Sequence, residues 1–255
     1  MENFCMKQIS LVKKLLYSVL LLAFILCLPI FRINLASGLG YTMPGEGMDS
    51  DTGQSEETVD IVPEPPAVPA VTDGIYRLSL TSSIGTLTYY NQSDARWADY
   101  LYGGTDPMAA FGCGPTAMAM IVTSFTNETF LPSDMAAWAA EHGYWAPDNG
   151  TKHSFIPECA AAFGLKASSF QNLTEDGVKA ELSSGHILVA LMGIGHFSDS
   201  GHFIIITDYW SKDQVRVADP ASLERTQQAW DIALILSELN SVAASGGPVW
   251  SISPK

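Results

Sequence analysis

Apolar and polar positions alternate differently in three stretches of this chain, and each stretch predicts a different kind of structure. From Leu15 to Phe31 nearly every residue is apolar, with Ser18 and Pro29 as the interruptions; Lys7, Lys13 and Lys14 precede the run and Arg32 follows it. A basic start before an apolar run of this length predicts that residues 1–38 are a signal peptide or an N-terminal membrane anchor, with a tether through residues 15–31. The lysine bias puts the N-terminus inside, so the rest of the chain is expected outside the cell, secreted or held on the outer face of the membrane. Ala36-Ser37-Gly38 supplies small residues for cleavage, while the bulky Ile25-Leu26 before Cys27 argues against a lipoprotein cysteine. A buried core helix is the competing reading, and the lysines and the terminal position argue against it.

Residues 39–74 have no period. Glu46, Asp49, Asp51, Glu56, Glu57, Asp60, Glu64 and Asp73 occur with no Lys or Arg, among Pro44, Pro63, Pro65, Pro66 and Pro69. With few large apolar side chains to bury and many like charges, this segment is expected to be an extended, self-repelling linker.

From residue 75 to 255 the patterning becomes that of a folded domain. Tyr76–Leu80 and Gly85–Tyr90 alternate like strands, and Asn91–Trp97 is a polar loop. The run Ala117–Val122 predicts a buried helix; Asp134–His142 predicts another, preceded by Pro132-Ser133 and stopped by Gly143. Phe155–Phe163 reads as a helix ending at Gly164, and Leu173–Asp176 opens one that ends near Ser184-Gly185. Beyond this point the segments are short and β-branched: Ile187–Met192, Phe203–Tyr209 and Val215–Ala218. Trp230–Leu239 is expected as a late helix and Pro248–Ser253 as a final strand. Helices first and strands after predict an α+β fold, a helical half packed against an antiparallel sheet half.

Charge and cysteine usage narrow the chemistry. The net charge is −14 and the sequence pI about 4.5, which argues against nucleic acid as a partner. Of the four cysteines, Cys5 and Cys27 lie in the targeting segment; Cys113 and Cys159 remain, far apart and with no CxxC spacing, which argues against a cysteine-built zinc site. A Cys113–Cys159 disulfide is arithmetically possible but would consume the more interesting thiol. Cys159 falls in an apolar helical run, where a small buried filler is the expected role.

Cys113 stands in Phe111-Gly112-Cys113-Gly114-Pro115-Thr116, ahead of the buried helix. Proline suits a first helical turn, so Cys113 is placed at a helix N-terminus, where free N–H groups and the macrodipole favour a thiolate. The flanking glycines are expected to let a substrate backbone approach. The same stretch also fits a structural cysteine at a tight turn. A nucleophilic thiol would need an imidazole and a third group to hold it. Among His142, His153, His186, His196 and His202, the last stands at the mouth of a buried apolar strand, where a polar group is costly unless satisfied or used. Asp219 ends the following strand. A hairpin centred between Trp210 and Ser211 would set His202 and Asp219 directly opposite one another, whereas a turn centred later in Ser211–Gln214 would slide Asp219 away. An aspartate before a proline is also an ordinary turn residue. His186, His196 and His202 do not have a standard metal-ligand spacing, and no cofactor or metal is expected.

Taken together, Tyr90-Asn91-Gln92-Ser93-Asp94 with Arg96-Trp97, Gly112–Thr116, Gly201-His202-Phe203, Asp219-Pro220 and Trp230 resemble, in order, the papain-like cysteine peptidases, and most closely the bacteriocin-processing, double-glycine leader peptidases. The resemblance covers about residues 87–252. It implies a papain-like fold, with Cys113 as nucleophile, His202 as general base and then acid, Asp219 orienting His202, and Gln92 forming the oxyanion hole with the Cys113 N–H. Gln92 lies 21 positions before Cys113, further than in papain itself. The implied activity is hydrolysis of peptide or protein substrates through a thioester acyl-enzyme. An inactive papain-like surface binding module and a cell-wall peptide amidase or transpeptidase are the alternatives. A Gly-Xaa-Xaa-Xaa-Xaa-Gly-Lys nucleotide loop is absent, so a fused export pump is not expected. Trp138, Trp145 and Phe197 are candidates for cleft walls or for core packing.

Overall fold

The computed structural model describes residues 78–255; the signal or anchor expected at 1–38 and the linker expected at 39–74 lie outside the described residues, as do Tyr76 and Arg77 of the first expected strand. Among the described residues no helix is long and apolar enough to cross a membrane.

The chain first forms a hairpin of β1 (Leu78–Thr81) and β2 (Thr86–Tyr89), then two short antiparallel ribbons and the helices of one layer. The ribbons are β3 (Leu101–Tyr102) with β4 (Asp106–Pro107), and β5 (Trp145–Ala146) with β6 (Gly150–Thr151). The helices are α1 (Met108–Phe111), α2 (Cys113–Phe125), α3 (Pro132–Glu141) and α4 (Phe155–Ala162). Every residue of α2 from Gly114 to Val122 is buried, because α3, α4 and strand β2 surround it. A helix enclosed on all sides has no polar stripe, which is why Ala117–Val122 is uniformly apolar.

Six strands form the second half: β7 (Lys166–Ser169), β8 (Ile187–Met192), β9 (His202–Ser211), β10 (Gln214–Ala218), β11 (Ala229–Asp231) and β12 (Val249–Ser253). Their order across the sheet is β11-β10-β9-β8-β12-β7, antiparallel throughout. The central strands do not alternate in polarity because both faces are covered. Ile187, Val189 and Leu191 join the core shared with the helical layer, whereas Leu188, Ala190 and Met192 join a second core under α5 (Glu175–Ser183) and α7 (Ile232–Ser237). The arrangement is the expected α+β one.

The sheet half differs from the sequence-based expectation at two places. The segment Trp230–Leu239 splits: Trp230 pairs with Val215 at the sheet edge, and Asp231 caps the Leu234 N–H at 3.0 Å, so the helix starts only at Ile232. Strand β7 reads Lys-Ala-Ser-Ser and has no apolar alternation to announce it; its pairing with β12 makes it a mostly exposed edge.

Candidate active site

The first turn of α2 carries the thiol. Gly112 is its N-cap, Cys113 its first residue, and Pro115 falls within the turn, where its missing N–H leaves no broken bond. The flanking glycines have a different reason from the one expected. A Cβ at Gly112 would lie 2.5 Å from the Met108 carbonyl oxygen, and one at Gly114 would lie 2.8 Å from Thr151 Oγ1. The protein itself, not a substrate backbone, occupies the space a side chain would need.

The imidazole arrives from the sheet. His202 opens β9, is 6% exposed, and its Nε2 lies 2.7 Å from Asp219 Oδ1. With Nε2 taken by the carboxylate, Nδ1 is the nitrogen left for the hydrogen bond that joins His202 to the Cys113 sulfur. Backbone N–H groups of Phe203 and Gly114 also point at that sulfur.

Asp219 reaches His202 by a route that differs from the simple hairpin. The turn is the later one: Ser211 pairs with Gln214 around Lys212 and Asp213, and Lys212 takes a φ of 51°. An unbroken ladder from that turn would leave Asp219 opposite Ile206. Two register shifts, between Gln214 and Val215 and between Arg216 and Val217, move the pairing back so that Ala218 faces Ile205. Continuing that register sets Asp219 opposite Ile204, with His202 its diagonal neighbour on the same face. One shift alone would have turned the two side chains to opposite faces, since side chains alternate with a period of two residues.

The carboxylate is fully buried and saturated. Besides His202, its Oδ1 accepts the Ala221 N–H at 2.8 Å and its Oδ2 accepts Arg225 Nε. The Asp219 backbone N–H donates to Thr226 Oγ1 at 2.9 Å, and its carbonyl accepts the Tyr89 hydroxyl at 2.9 Å. Asp219 is therefore both the turn residue before a proline and the partner of the imidazole. Sequence reasoning missed Arg225; the only signal for it is Ser222, which caps the Arg225 N–H at 3.1 Å and begins a one-turn helix, α6 (Leu223–Thr226).

The charges follow from these contacts. Burial pushes the Cys113 thiol up, but the hydrogen bond and charge of His202, with the two backbone N–H groups, more than offset this, and the thiol titrates below its ordinary value. Burial pushes His202 down, but Asp219 and Cys113 outweigh it and lift the ring to about 9. Burial likewise raises Asp219, and His202, Arg225 and the Ala221 N–H bring it below the usual carboxylate value. The three groups favour a thiolate beside an imidazolium.

Gln92 is buried, at 4% exposed. Its backbone N–H donates to the Pro220 carbonyl at 2.7 Å and its Nε2 donates to the Ala109 carbonyl at 2.8 Å, which ties the Asp219–Pro220 turn to the helix before Cys113. Its Oε1 is buried without a hydrogen-bond partner among the described residues. The surrounding loop is rigid: Trp97 Nε1 donates to the Asn91 carbonyl at 2.8 Å, Trp97 meets Tyr90 edge to face at 5.7 Å, and Asp94 pairs with Arg96 at 2.6 Å.

Cys113 and His202 lie on the wall of a cleft of about 420 Å³. Its lining includes Phe111, the residues from Asp148 to Thr151 and His153, with Leu191, Gly201 and Phe203 from the sheet half. Trp138, Trp145 and Phe197 do not line it. Trp138 packs with Phe155 and Phe163, Trp145 donates to Asp106 Oδ2 at 2.9 Å, and Phe197 stacks on Trp230 with centroids 4.4 Å apart. Cys113 and Cys159 are both free thiols. His186, His196 and His202 go to three separate carboxylates, Glu181, Glu238 and Asp219.

Comparison with known proteins comes to the same region. A family model described as the Peptidase_C39 like family matches residues 85–244, more than half of the chain. No curated protein sequence matches it. Among solved structures, the chain is similar to the peptidase domain of Streptococcus ComA, a bi-functional ABC transporter involved in quorum sensing. The two are 16% identical with a TM-score of 0.41, over 57% of this chain and 93% of that one. It is also similar to a protein from Bacillus anthracis described as a C39-like peptidase, at 12% identity and a TM-score of 0.42, over 57% of this chain and 90% of that one.

Proposed function

The chain belongs to the Peptidase_C39 like family, with a papain-like α+β fold, and from that premise we propose that it is a cysteine peptidase acting outside the cell, secreted or tethered through residues 15–31. Cys113 is the nucleophile: its thiolate attacks a substrate carbonyl, and the His202 imidazolium gives its proton to the leaving amine, which departs and leaves a thioester. Neutral His202 then takes a proton from water, the hydroxide attacks the thioester, and the thiolate is released as His202 regains its charge. Asp219 holds the ring with Nδ1 toward the sulfur and stabilises the imidazolium. The negative oxygen is met by the Cys113 N–H and by the second hydrogen of Gln92 Nε2, a donor worth about 3 kcal/mol of barrier in such sites.

The observation that carries this reading is the relay from sulfur to imidazole to a buried, saturated carboxylate on the wall of an open cleft. The test is hydrolysis of an unbiased peptide library by the wild type and by Cys113→Ala and His202→Ala, with folding followed by circular dichroism. Turnover by the wild type and a loss of at least about a thousandfold in both folded variants is expected. Equal turnover in all three overturns the roles of Cys113 and His202, and none in a wild type whose cleft still binds peptides overturns the enzyme and leaves a binding module.

A further inference from the structure

Among the described residues four ionisable side chains line the cleft: Cys113, His202, His153 and Asp148. The first two form a pair with no net charge in either protonation arrangement. His153 accepts the Ala244 N–H at 3.0 Å on its Nδ1, and burial holds the ring toward its neutral form. Asp148 is left as the one unbalanced charge on the cleft wall.

Its presentation is built, not incidental. Asp148 is exposed, and its carboxylate has no hydrogen bond or ion pair among the described residues. Its backbone takes a φ of 59°, a left-handed conformation that aspartate and asparagine adopt more readily than most residues. Asp106 holds it there: Oδ2 accepts the Asp148 N–H at 3.0 Å and the Trp145 indole N–H at 2.9 Å. Trp145 in turn lies so close over Gly103 that a Cβ there would come within 2.1 Å of the ring. The far strand of this ribbon ends in Thr151, which abuts Gly114 beside the thiol and donates to the Tyr102 hydroxyl at 3.2 Å. The backbone of a residue whose carboxylate has no internal partner is thus held at the cleft wall.

We propose that Asp148 is a specificity determinant that selects a cationic side chain, lysine or arginine, in a peptide bound in this cleft. The proposal rests on the peptidase reading and deepens it by naming the substrate class. An exposed charge discriminates chiefly by attracting the opposite charge and rejecting the like one, so lysine against glutamate is the contrast that reads it.

The test is kcat/KM on fluorogenic peptides that carry Lys, Gln or Glu at each position in turn around the bond the wild type cleaves. One position should favour Lys over Glu by about tenfold at low salt, and the ratio should shrink as salt screens it. Asp148→Asn keeps the backbone N–H and a residue tolerant of left-handed φ, so its unfolding midpoint should not move; its Lys-to-Glu ratio should fall to within about twofold. Asp148→Lys should invert the preference. A Lys preference retained in Asp148→Asn, or no position that separates Lys from Glu, overturns the proposal. Should no peptide be cleaved, the peptidase reading fails on its own, and fluorescence anisotropy of the same peptides on the folded protein decides this one. Tighter binding of a Lys peptide that Asp148→Asn abolishes supports it, and equal or absent binding overturns it.

Discussion

Cys113 and Cys159 stand in the same helical layer, both free, and the protein treats them in opposite ways. Cys159 is inside α4, fully buried, with Met135 Sδ 3.7 Å from its sulfur and no cation beside it; burial alone acts on it and pushes the thiol up. Cys113 is also penalised by burial, yet it sits in the first turn of α2, shares a hydrogen bond with a cationic ring, and titrates below its ordinary value. The difference is not how deep the sulfur lies but what the second half of the fold brings to it. An imidazole on β9, itself lifted by a carboxylate, reverses the effect of burial.

The sharpest way to break this contrast is alkylation. Iodoacetamide at pH 6 should modify Cys113 at least about a hundredfold faster than Cys159 in the native protein, and both at one rate in denaturant, as read by mass spectrometry of the two peptides. His202→Ala should bring the native Cys113 rate down toward that of Cys159. The pH dependence carries the same signature. Hydrolysis should rise with pH as the depressed thiol ionises and fall as the pH passes about 9, where His202 loses its proton. For stability the signs are opposed. His202, raised in the fold, contributes fully below its unfolded value of 6.5 and loses that contribution as the pH rises through about 9. Asp219, depressed in the fold, contributes above its unfolded value of 3.8 and loses its contribution as the pH falls below it. Urea unfolding across pH should therefore show its plateau between these limits, and a native Cys113 with no advantage at pH 6 would remove the ion pair from the account.

The next effects are expected one step and then two steps further from the sulfur. Asp219→Asn should lower kcat by about a hundredfold to ten-thousandfold, since an amide cannot stabilise the imidazolium as a carboxylate does. Arg225→Met keeps the carboxylate but removes the donor on its Oδ2, and should cost about tenfold in kcat and roughly 1–2 kcal/mol of stability by urea unfolding. The Arg225 side chain is 27% exposed, so water replaces part of what is lost. If Arg225→Met matched Asp219→Asn in kcat, the arginine would be acting on the chemistry more directly than through the carboxylate.

How far each cysteine's setting could be read from the chain follows from whether the causes are local. Gly112-Cys113-Gly114-Pro115 ahead of an apolar run places a thiol at a helix start with no knowledge of the rest of the fold. Strands β8, β9 and β10 were also legible, because a run of β-branched residues buried on both faces needs no register to be seen. The meeting of His202 with Asp219 was less so. It depends on two register shifts, between Gln214 and Val215 and between Arg216 and Val217, that have no mark in the residues themselves; the simplest hairpin would have reached a similar outcome by another path. Strand β7 and Arg225 left almost no trace, being an edge of small polar residues and a side chain defined only by what it touches. Asp148 was invisible for a third reason: its ribbon is fixed by Asp106 and Gly103, some 40 residues earlier. The glycines around Cys113 are visible in the sequence, but their packing against Met108 and Thr151 is not.

The mildest perturbation tests the other cysteine. Cys159→Ser places a hydroxyl among Met135, Phe155 and their neighbours, where the sulfur's one polar contact is a thioether. An unpaired hydroxyl in such surroundings should cost about 1–3 kcal/mol, read as a shift in the urea midpoint with an unchanged slope. Activity per folded molecule should stay within about twofold of the wild type, because the substitution is confined to the packed interior of α4 and removes no donor or charge from the cleft. A fall in kcat without a fall in stability would mean that Cys159 communicates with the cleft, and the division between one thiol for packing and one for chemistry would no longer hold.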